Sequence, residues 1–479
     1  MIRFEIKKNT RRPGEFSYDL KALALSFFPE KTCEVVCLED WEGKAGYPLR
    51  CYVEGELMLE EEVPEGYTKN VVKSLVYQTF VKISGRALPW GILTGIRPAK
   101  IPLRMKMAGM DKRQIMDCLK KEYKVSDEKA GLAMDVAEKE YELIRPFNHE
   151  RGYNIYIGIP FCPSICQYCS FSSYDYKRYE KKADDYLTAL EKEIAYAGRK
   201  FAGYELHTIY VGGGTPTSLN EPQFQRLLDM IHRHLPVKST AEFTVEAGRP
   251  DSINREKLLI MKKAGVTRIS INPQTMRQHT LELLGRKHTV EQIEDVYHMA
   301  RKIGFDNINM DLIVGLPEEN EEDFHATMER IAELNPDSVT VHTLVIKRAS
   351  RMRREQMEAG EGIRKEDELI PVLQSYSGKY LREKGYAPYY MYRQKNKAGT
   401  TRNTNQENVA YAKPGKECLY NIFIMEELET ILALGSGGST KYVIHGENRM
   451  ERIENVKSVD DYISRIDEMI ERKEENLWH

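Results

Sequence analysis

Tyr156-Ile-Gly-Ile-Pro-Phe-Cys162-Pro-Ser-Ile-Cys166-Gln-Tyr-Cys169 is the stretch from which this chain is read. Residues 154–159 form a short apolar run of the kind that makes a buried strand, and the loop straight after it carries three cysteines within eight residues. Three thiolates on one short loop make a compact metal-binding element, and thiolates are the usual protein ligands of a [4Fe–4S] cluster. A cluster of four irons held by three cysteines leaves one iron without a protein ligand. In radical chemistry with S-adenosylmethionine (SAM), the amino and carboxylate groups of SAM chelate that open iron, and an electron from the cluster breaks the sulfonium C–S bond to give a 5′-deoxyadenosyl radical. Cys162, Cys166 and Cys169 are the expected ligands. A structural zinc site is the alternative, but it needs a fourth ligand to close a tetrahedron. The loop has no histidine or fourth cysteine, and His149 is thirteen residues upstream of Cys162. Cys33 and Cys37 share the first spacing but lack a third cysteine, and they read as ordinary thiols.

Outward from this loop the chain alternates regularly. Strand-like runs at 154–159, 208–211, 242–246, 268–272, 307–314 and 338–345 are separated by amphipathic helical stretches at 183–200, 221–234, 255–264, 290–303 and 321–334. Such alternation indicates βαβ units and a parallel sheet. The expected fold class is α/β, with a partial (β/α)6 TIM-like barrel open on one side, its chemistry at the carboxyl ends of the strands. The first 147 residues have a different texture, with strand-like runs at 2–6, 34–38 and 49–53, then helical patterns at 71–84 and 113–141. They are expected to form an α+β domain of unknown role. The irregular Gly- and Pro-containing run from Leu88 to Pro98 lies between those helices. After the barrel (148–350), residues 351–479 are expected to form a C-terminal capping region. It comprises a helix at 364–383, an aromatic and polar stretch at 385–412, a helical pattern at 416–427 and a Gly-rich strand-turn at 431–443.

The motifs fall at the strand ends. Tyr210-Val-Gly-Gly-Gly-Thr-Pro216 closes the second strand. Glycines there let backbone approach a ligand closely and expose N–H groups. Gly213, Gly214 and Thr215 are expected to face the carboxylate and amino end of SAM. Glu246, Gln274 and Asp311 are polar residues in or beside apolar strands, and Arg286 follows a short helical piece in Leu284-Gly-Arg-Lys-His288. Buried polar groups without partners cost several kcal/mol, roughly 2–7. A ribose, an amino group or a structural hydrogen-bond network would each satisfy them.

Composition narrows the rest. With 479 residues, 41% hydrophobic and 30% charged, the chain is ordinary globular protein. Its net charge of -2 gives no general attraction to nucleic acid or membrane. No apolar run approaches the roughly 18 residues of a membrane span, and Met1 to Thr10 reads as no signal peptide. Eight cysteines are then more naturally thiols or metal ligands than disulfides, and a cytoplasmic location is expected.

From about residue 154 to 443 the chain resembles the oxygen-independent coproporphyrinogen III oxidase group of radical SAM enzymes. The resemblance rests on the cysteine loop with Tyr156 before it, the turn 212–216, Leu284-Gly-Arg-Lys-His288 and Asp311-Leu-Ile-Val-Gly-Leu-Pro317. The N-terminal region, with Tyr389-Tyr-Met-Tyr-Arg-Gln-Lys395 and the stretch 419–427, is similar to the HemZ-type coproporphyrinogen dehydrogenases. This implies oxidative decarboxylation of two propionates of coproporphyrinogen III to vinyl groups, giving protoporphyrinogen IX. SAM would be consumed, and an electron donor such as flavodoxin or ferredoxin would be needed. The resemblance places Tyr156, Gly213 and Glu246 beside SAM. It packs Tyr168 on SAM or the cluster, and matches Gln274, Arg286 and Asp311 to SAM-contacting positions. One departure stands out: the group's oxidases carry a further cysteine two residues after the third, where this chain has Phe171. Haem chaperones of the group also lack that cysteine, so a haem carrier is an alternative to a catalyst. A substrate with four propionates needs cations and aromatic faces. Arg393, Lys395 and Arg402, interleaved with Tyr389, Tyr390 and Tyr392, are the expected substrate residues.

The cysteine assignment makes a direct prediction. Replacing Cys162, Cys166 or Cys169 with Ala should abolish iron and sulfide binding, read by metal analysis and the visible spectrum under argon. Replacing Cys33, Cys37, Cys51, Cys118 or Cys418 should leave both unchanged, and loss of the cluster in a Cys418 variant would overturn the assignment.

Overall fold

Seven strands of one sheet run parallel, each pairing with its neighbours. A computed structural model of the chain describes all residues except 8–15, 39–45, 65–67, 172, 345–351, 353–365, 395–406, 448 and 478–479. Two compact units are formed. The first comprises Met1–Tyr141 with Ala359–Ser375 and Met391–Asn408; the second comprises Glu142–Glu358, Tyr376–Tyr390 and Val409–His479.

The first unit opens with strands β1 (Ile2–Lys7), β2 (Cys33–Leu38), β3 (Gly46–Val53) and β4 (Glu56–Pro64) in the order β2-β1-β3-β4. The pairing of β1 with β2 is parallel, and those of β1 with β3 and β3 with β4 are antiparallel. Helices Ser17–Phe27 and Lys69–Ser84 lay Leu20, Leu23, Val72, Val76 and Phe80 into a core with Phe4 and Leu49. The single helical pattern expected at 113–141 is two helices, Lys112–Lys121 and Asp127–Ile144. The break between them includes Lys124 at φ 59°, a left-handed conformation that no α-helix continues through.

In the second unit β5 (Gly152–Ile159) leads to two short strands, β6 (Phe161–Cys162) and β7 (Tyr174–Asp175), paired with each other. Then come β8 (Glu205–Gly213), β9 (Glu242–Gly248), β10 (Arg268–Ile271), β11 (Ile308–Val314) and β12 (Ser338–Thr343), each followed or preceded by the helix its amphipathic spacing predicts. These six main strands, β5 and β8 to β12, run parallel in sequence order. Their side chains are almost all buried, which explains their apolar texture: helices cover one face of a parallel sheet and the barrel interior fills the other.

The C-terminal region does more than cap. The remaining strands are β13 (Ala387–Arg393), β14 (Glu407–Ala412), β15 (Thr430–Leu434), β16 (Ser439–Ile444) and β17 (Arg449–Glu454). They give one open sheet ordered β13-β14-β12-β11-β10-β9-β8-β5-β15-β16-β17. β14 lies antiparallel to β12 at one end, and β15 adds a seventh parallel strand beside β5 at the other. The aromatic stretch at 385–412 thus supplies strands β13 and β14, whose residues, Tyr389, Tyr390, Met391, Val409, Ala410 and Tyr411 among them, are buried on both faces.

Buried polar contacts lock the β15 edge. Glu193, on the helix Tyr176–Lys200, accepts from Lys473 Nζ (2.7 Å), Asn455 Nδ2 (2.8 Å) and the Gly435 amide (2.8 Å). Glu193 and Lys473 are both fully buried. Breaking such a pair from one side costs about 3–5 kcal/mol, because a charge is left uncompensated. Lys473→Met should therefore lower the unfolding free energy by about that much, measured by urea denaturation of the metal-free protein. Glu193→Gln/Lys473→Met should recover most of the loss; a silent Lys473→Met would show that the pair stabilises nothing.

Candidate cluster and SAM site

β5 delivers the cysteine loop at its carboxyl end. Cys162 closes β6, whose pairing with β7 holds it in place, and it is 9% exposed. Cys166 and Cys169 follow in a half-buried turn in which the Cys169 amide donates to the Cys166 carbonyl at 3.1 Å. Burial pushes the Cys162 thiol up to about 11. The Cys169 and Cys166 sulfurs push it the same way, while the Thr215 hydroxyl, 3.7 Å from Cys162 Sγ, and the Arg249 charge pull it back. Crowded, buried thiolates are stabilised by a cationic metal, so the donor chemistry fits a thiolate-bound cluster. Among the described residues no three His, Cys, Asp or Glu side chains are placed to hold a metal ion. The fit therefore lies in the donor set and the hydrogen bonds aimed at it.

The glycine turn after β8 is pressed against this loop. The Gly214 amide donates to Ile159 O and the Thr215 amide to Phe161 O, both at 2.7 Å. A Cβ on Gly214 would lie 2.5 Å from Phe161 O and 3.0 Å from Cys162 Sγ. Gly213, at φ 111°, would bring a Cβ to 3.0 Å from the Ile159 backbone. The close approach that demands glycine here is therefore to the cysteine loop itself.

Inside the lumen, Glu246 on β9 accepts from the Tyr210 hydroxyl at 2.5 Å. Burial raises its pKa to about 7 and the Asp311 charge adds to the rise, against the Tyr210 and Gly213 hydrogen bonds. Asp311 on β11 goes the other way. Burial would raise it, but His342, 3.7 Å away, and hydrogen bonds from Asn309 and Thr340 outweigh burial and hold its carboxyl below the usual range. Two carboxyl groups thus share the lumen with their pKa values driven apart. Tyr156 and Tyr210 stack with ring centroids 6.1 Å apart, and Tyr420 stacks on Tyr210 at 4.5 Å.

The remaining sequence-derived residues divide. Gln274 sits at φ 70°, a left-handed conformation unusual outside glycine, with its amide donating to Asp311 O and its carbonyl accepting from the Ile313 amide. Arg286 is 6% exposed, donates to Asn272 O at 2.5 Å and lies in the field of Tyr168 and Cys166. Tyr168 packs against a cluster that includes Leu284, Leu316 and Leu344, and burial pushes its phenol up. Arg393 has its own partners. It belongs to the first unit, donates from Nη1 to Leu93 O and lies 5.5 Å from the Trp90 ring. Burial lowers its pKa to about 10. Lys395 and Arg402 lie outside the described residues.

Three residues that sequence reasoning passed over belong with the site. Arg249 follows β9 and reaches the cysteine loop, His342 sits beside Asp311 on the sixth strand, and Tyr420 stacks in the lumen. His342 carries the same signal as Asp311, a polar residue in an apolar strand. Arg249 lies at a strand's carboxyl end, but the strand was expected to stop three residues earlier. Tyr420 lies in the stretch 419–427 that carries part of the resemblance, but nothing in its local pattern marks it as a site residue.

An open parallel α/β barrel with a three-cysteine loop after its first strand, backed by a glycine turn after its second, defines a radical SAM protein. Residues 156–331 match the Radical SAM superfamily. The chain is 38% identical over 409 residues to the oxygen-independent coproporphyrinogen-III oxidase-like protein HemZ of Bacillus subtilis (strain 168), covering 85% of this chain and 80% of that protein. It is 41% identical over 192 residues to the heme chaperone HemW of the same organism, covering 40% of this chain and 50% of the chaperone. Among solved structures, coproporphyrinogen III oxidase (HemN) from Escherichia coli superposes with a TM-score of 0.53 at 24% identity, over 72% of this chain and 74% of that one. This chain belongs to the HemZ-type, oxygen-independent coproporphyrinogen-III oxidase-like family of radical SAM proteins. With the family come its [4Fe–4S] cluster and SAM. Among the described residues no helix is long and apolar enough to cross a membrane.

Burial of Glu246 makes a pH prediction. Its folded pKa, near 7, exceeds that of an unfolded carboxyl, so the stability it contributes is full below about 4.5 and is lost as pH rises through 7. Glu246→Gln should therefore stabilise the SAM-free protein more at pH 8 than at pH 6, read as the difference in melting temperature from the parent. An equal effect at both pH values would show that Glu246 is not held neutral.

Proposed function

We propose that the protein is a SAM-dependent catalyst that decarboxylates two propionates of coproporphyrinogen III to vinyl groups, giving protoporphyrinogen IX. The observation that supports it most is the shared lumen. Glu246 and Asp311 are half-buried carboxyl groups on β9 and β11 that feel each other's charge, Gln274 and Arg286 are buried after β10, and Arg286 lies in the field of Cys166. Such groups are costly to bury and are suited to a polar, cationic co-substrate. A bound cluster would supply the electron that cleaves SAM. Glu246, as a carboxylate, would receive the SAM ammonium, with Tyr210 holding its other lone pairs. The turn at Gly213, Gly214 and Thr215 would set the depth of SAM against the loop. Asp311, kept ionised by His342, would accept from hydroxyls, and Gln274 and Arg286 would line the same wall. Tyr156 and Tyr168 would supply aromatic surface. Arg393, whose Nη1 donates to Leu93 O, would offer the propionates a cation together with Lys395 and Arg402.

A second reading is a haem carrier of the same group. It is supported by Phe171, 73% exposed where the group's oxidases carry a further cysteine, and by the likeness to the heme chaperone. Anaerobic incubation with coproporphyrinogen III, SAM and dithionite separates the two. The catalyst yields two CO₂ and a divinyl product per porphyrinogen, with methionine and 5′-deoxyadenosine formed. The carrier yields none and binds haem stoichiometrically. For the catalyst, Glu246→Gln should weaken SAM binding by about ten- to a hundred-fold, the worth of a charge-assisted hydrogen bond of roughly 1.5–3 kcal/mol, measured by equilibrium dialysis. Wild-type SAM affinity in that variant would remove Glu246 from the site.

A further inference from the structure

Arg249 lies just beyond β9 and is 3% exposed, yet none of the SAM-directed roles uses it. Its guanidinium is divided between two partners. Nε and Nη2 grip the Asp251 carboxylate at 2.9 and 2.6 Å. Nη1 reaches into the cysteine loop, donating to Ser164 O at 2.9 Å, to Ser164 Oγ at 2.7 Å and towards Cys166 Sγ at 3.8 Å. Behind Asp251 stands His288, fully buried, 3.9 Å from the carboxylate. Burial and the Arg286 charge push its pKa down to about 3, so it adds no charge to the group.

We infer that Arg249 is a positioning residue for the cluster: it fixes the loop between the first and second cysteines and sets the reduction potential by donating to the Cys166 sulfur. Two physical effects follow from the geometry. A planar fork that bonds backbone and hydroxyl of Ser164 together holds the turn in one shape, which a point charge on a flexible stem does not do. A positive N–H directed at a ligand sulfur stabilises the extra electron of the reduced cluster, since hydrogen bonds to sulfur and local charge tune such potentials. Asp251 opposes the second effect by neutralising the guanidinium, and supports the first by orienting it. The two residues therefore act with the same sign on loop order and with opposite sign on potential.

That opposition is the test. The inference rests on the cluster that the family carries and not on the tetrapyrrole reaction. The reconstituted full-length protein is titrated with dithionite and the reduced cluster is followed by EPR. Arg249→Gln should shift the midpoint potential to more negative values, and Asp251→Asn should shift it to more positive values. Arg249→Lys, which keeps the charge, should lie nearer the parent. In the metal-free protein, both Arg249→Gln and Asp251→Asn should speed hydrogen exchange of the amides from Ser164 to Cys169. A purely structural role would loosen the loop without separating the signs of the two shifts, and shifts in the same direction, or none, overturn the inference. If Arg249→Gln retains no cluster, Asp251→Asn and Arg249→Lys decide alone, and an unmoved potential in Asp251→Asn is then the overturning result. Absence of iron in the parent protein would instead sink the cluster reading itself.

Discussion

The site depends on how closely the turn after β8 can approach the loop after β5. Gly214 and Thr215 donate their amides to Ile159 and Phe161, and only a hydrogen on Gly214 fits between Phe161 O and Cys162 Sγ. That contact seats the first cysteine, brings the Thr215 hydroxyl onto its sulfur, and sets the wall against which a cofactor must lie. It is available because β5 and β8 are parallel neighbours, in register from Asn154↔Thr208 to Ile159↔Gly213. A slip of one residue would turn the alternate side chains to the wrong face and carry the glycine turn off the loop.

Electrostatics adds the second layer. Around the loop, Arg249 and Arg286 bring buried positive charge towards the Cys166 sulfur, and burial with the neighbouring sulfurs keeps the Cys162 thiol from ionising. In the lumen, one carboxyl group is held near neutrality and another is held charged, though the two are close enough to feel each other. The difference comes from their partners. Glu246 has a tyrosine hydroxyl and too few donors to offset its desolvation; Asp311 has a histidine and two further donors. A family member handling a cationic co-substrate gains from such a division, because one group is poised to respond to the ligand's charge while the other is already set.

The C-terminal region completes this arrangement from both edges of the sheet. β15 lies beside β5 and carries the Gly435 turn that Glu193 fastens, while the helix Leu419–Glu426 brings Tyr420 onto the Tyr210 ring. The first unit, in turn, incorporates Met391–Asn408, where Arg393, Trp90, Glu407 and Lys129 form a buried polar group. Within that unit Arg393 is buried, donating to Leu93 O beside the Trp90 ring.

Sequence by itself determined the strand–helix alternation, the cysteine loop and the polar residues in or beside the strands, because each is written in local spacing: short apolar runs between helical patterns, three thiols in one turn, a carboxylate among apolar neighbours. The bounds of the helices Glu221–His234, Val290–Ile303 and Glu321–Leu334 were legible to the residue for that reason. What only the tertiary structure decided involves partners far apart in the chain. The seventh parallel strand joins residues some 277 positions apart, as in Thr430↔Tyr153. Arg249 meets Cys166 across 83 residues, and His342 meets Asp311 across a strand pair. No local pattern encodes such a meeting, since a buried arginine and a solvated one look alike until the fold brings a sulfur or a carbonyl to the end of the side chain. Arg393 shows the same limit from the other side: its charge was visible in the sequence, but the Leu93 carbonyl that its guanidinium meets is brought to it only once the irregular run before Pro98 has folded.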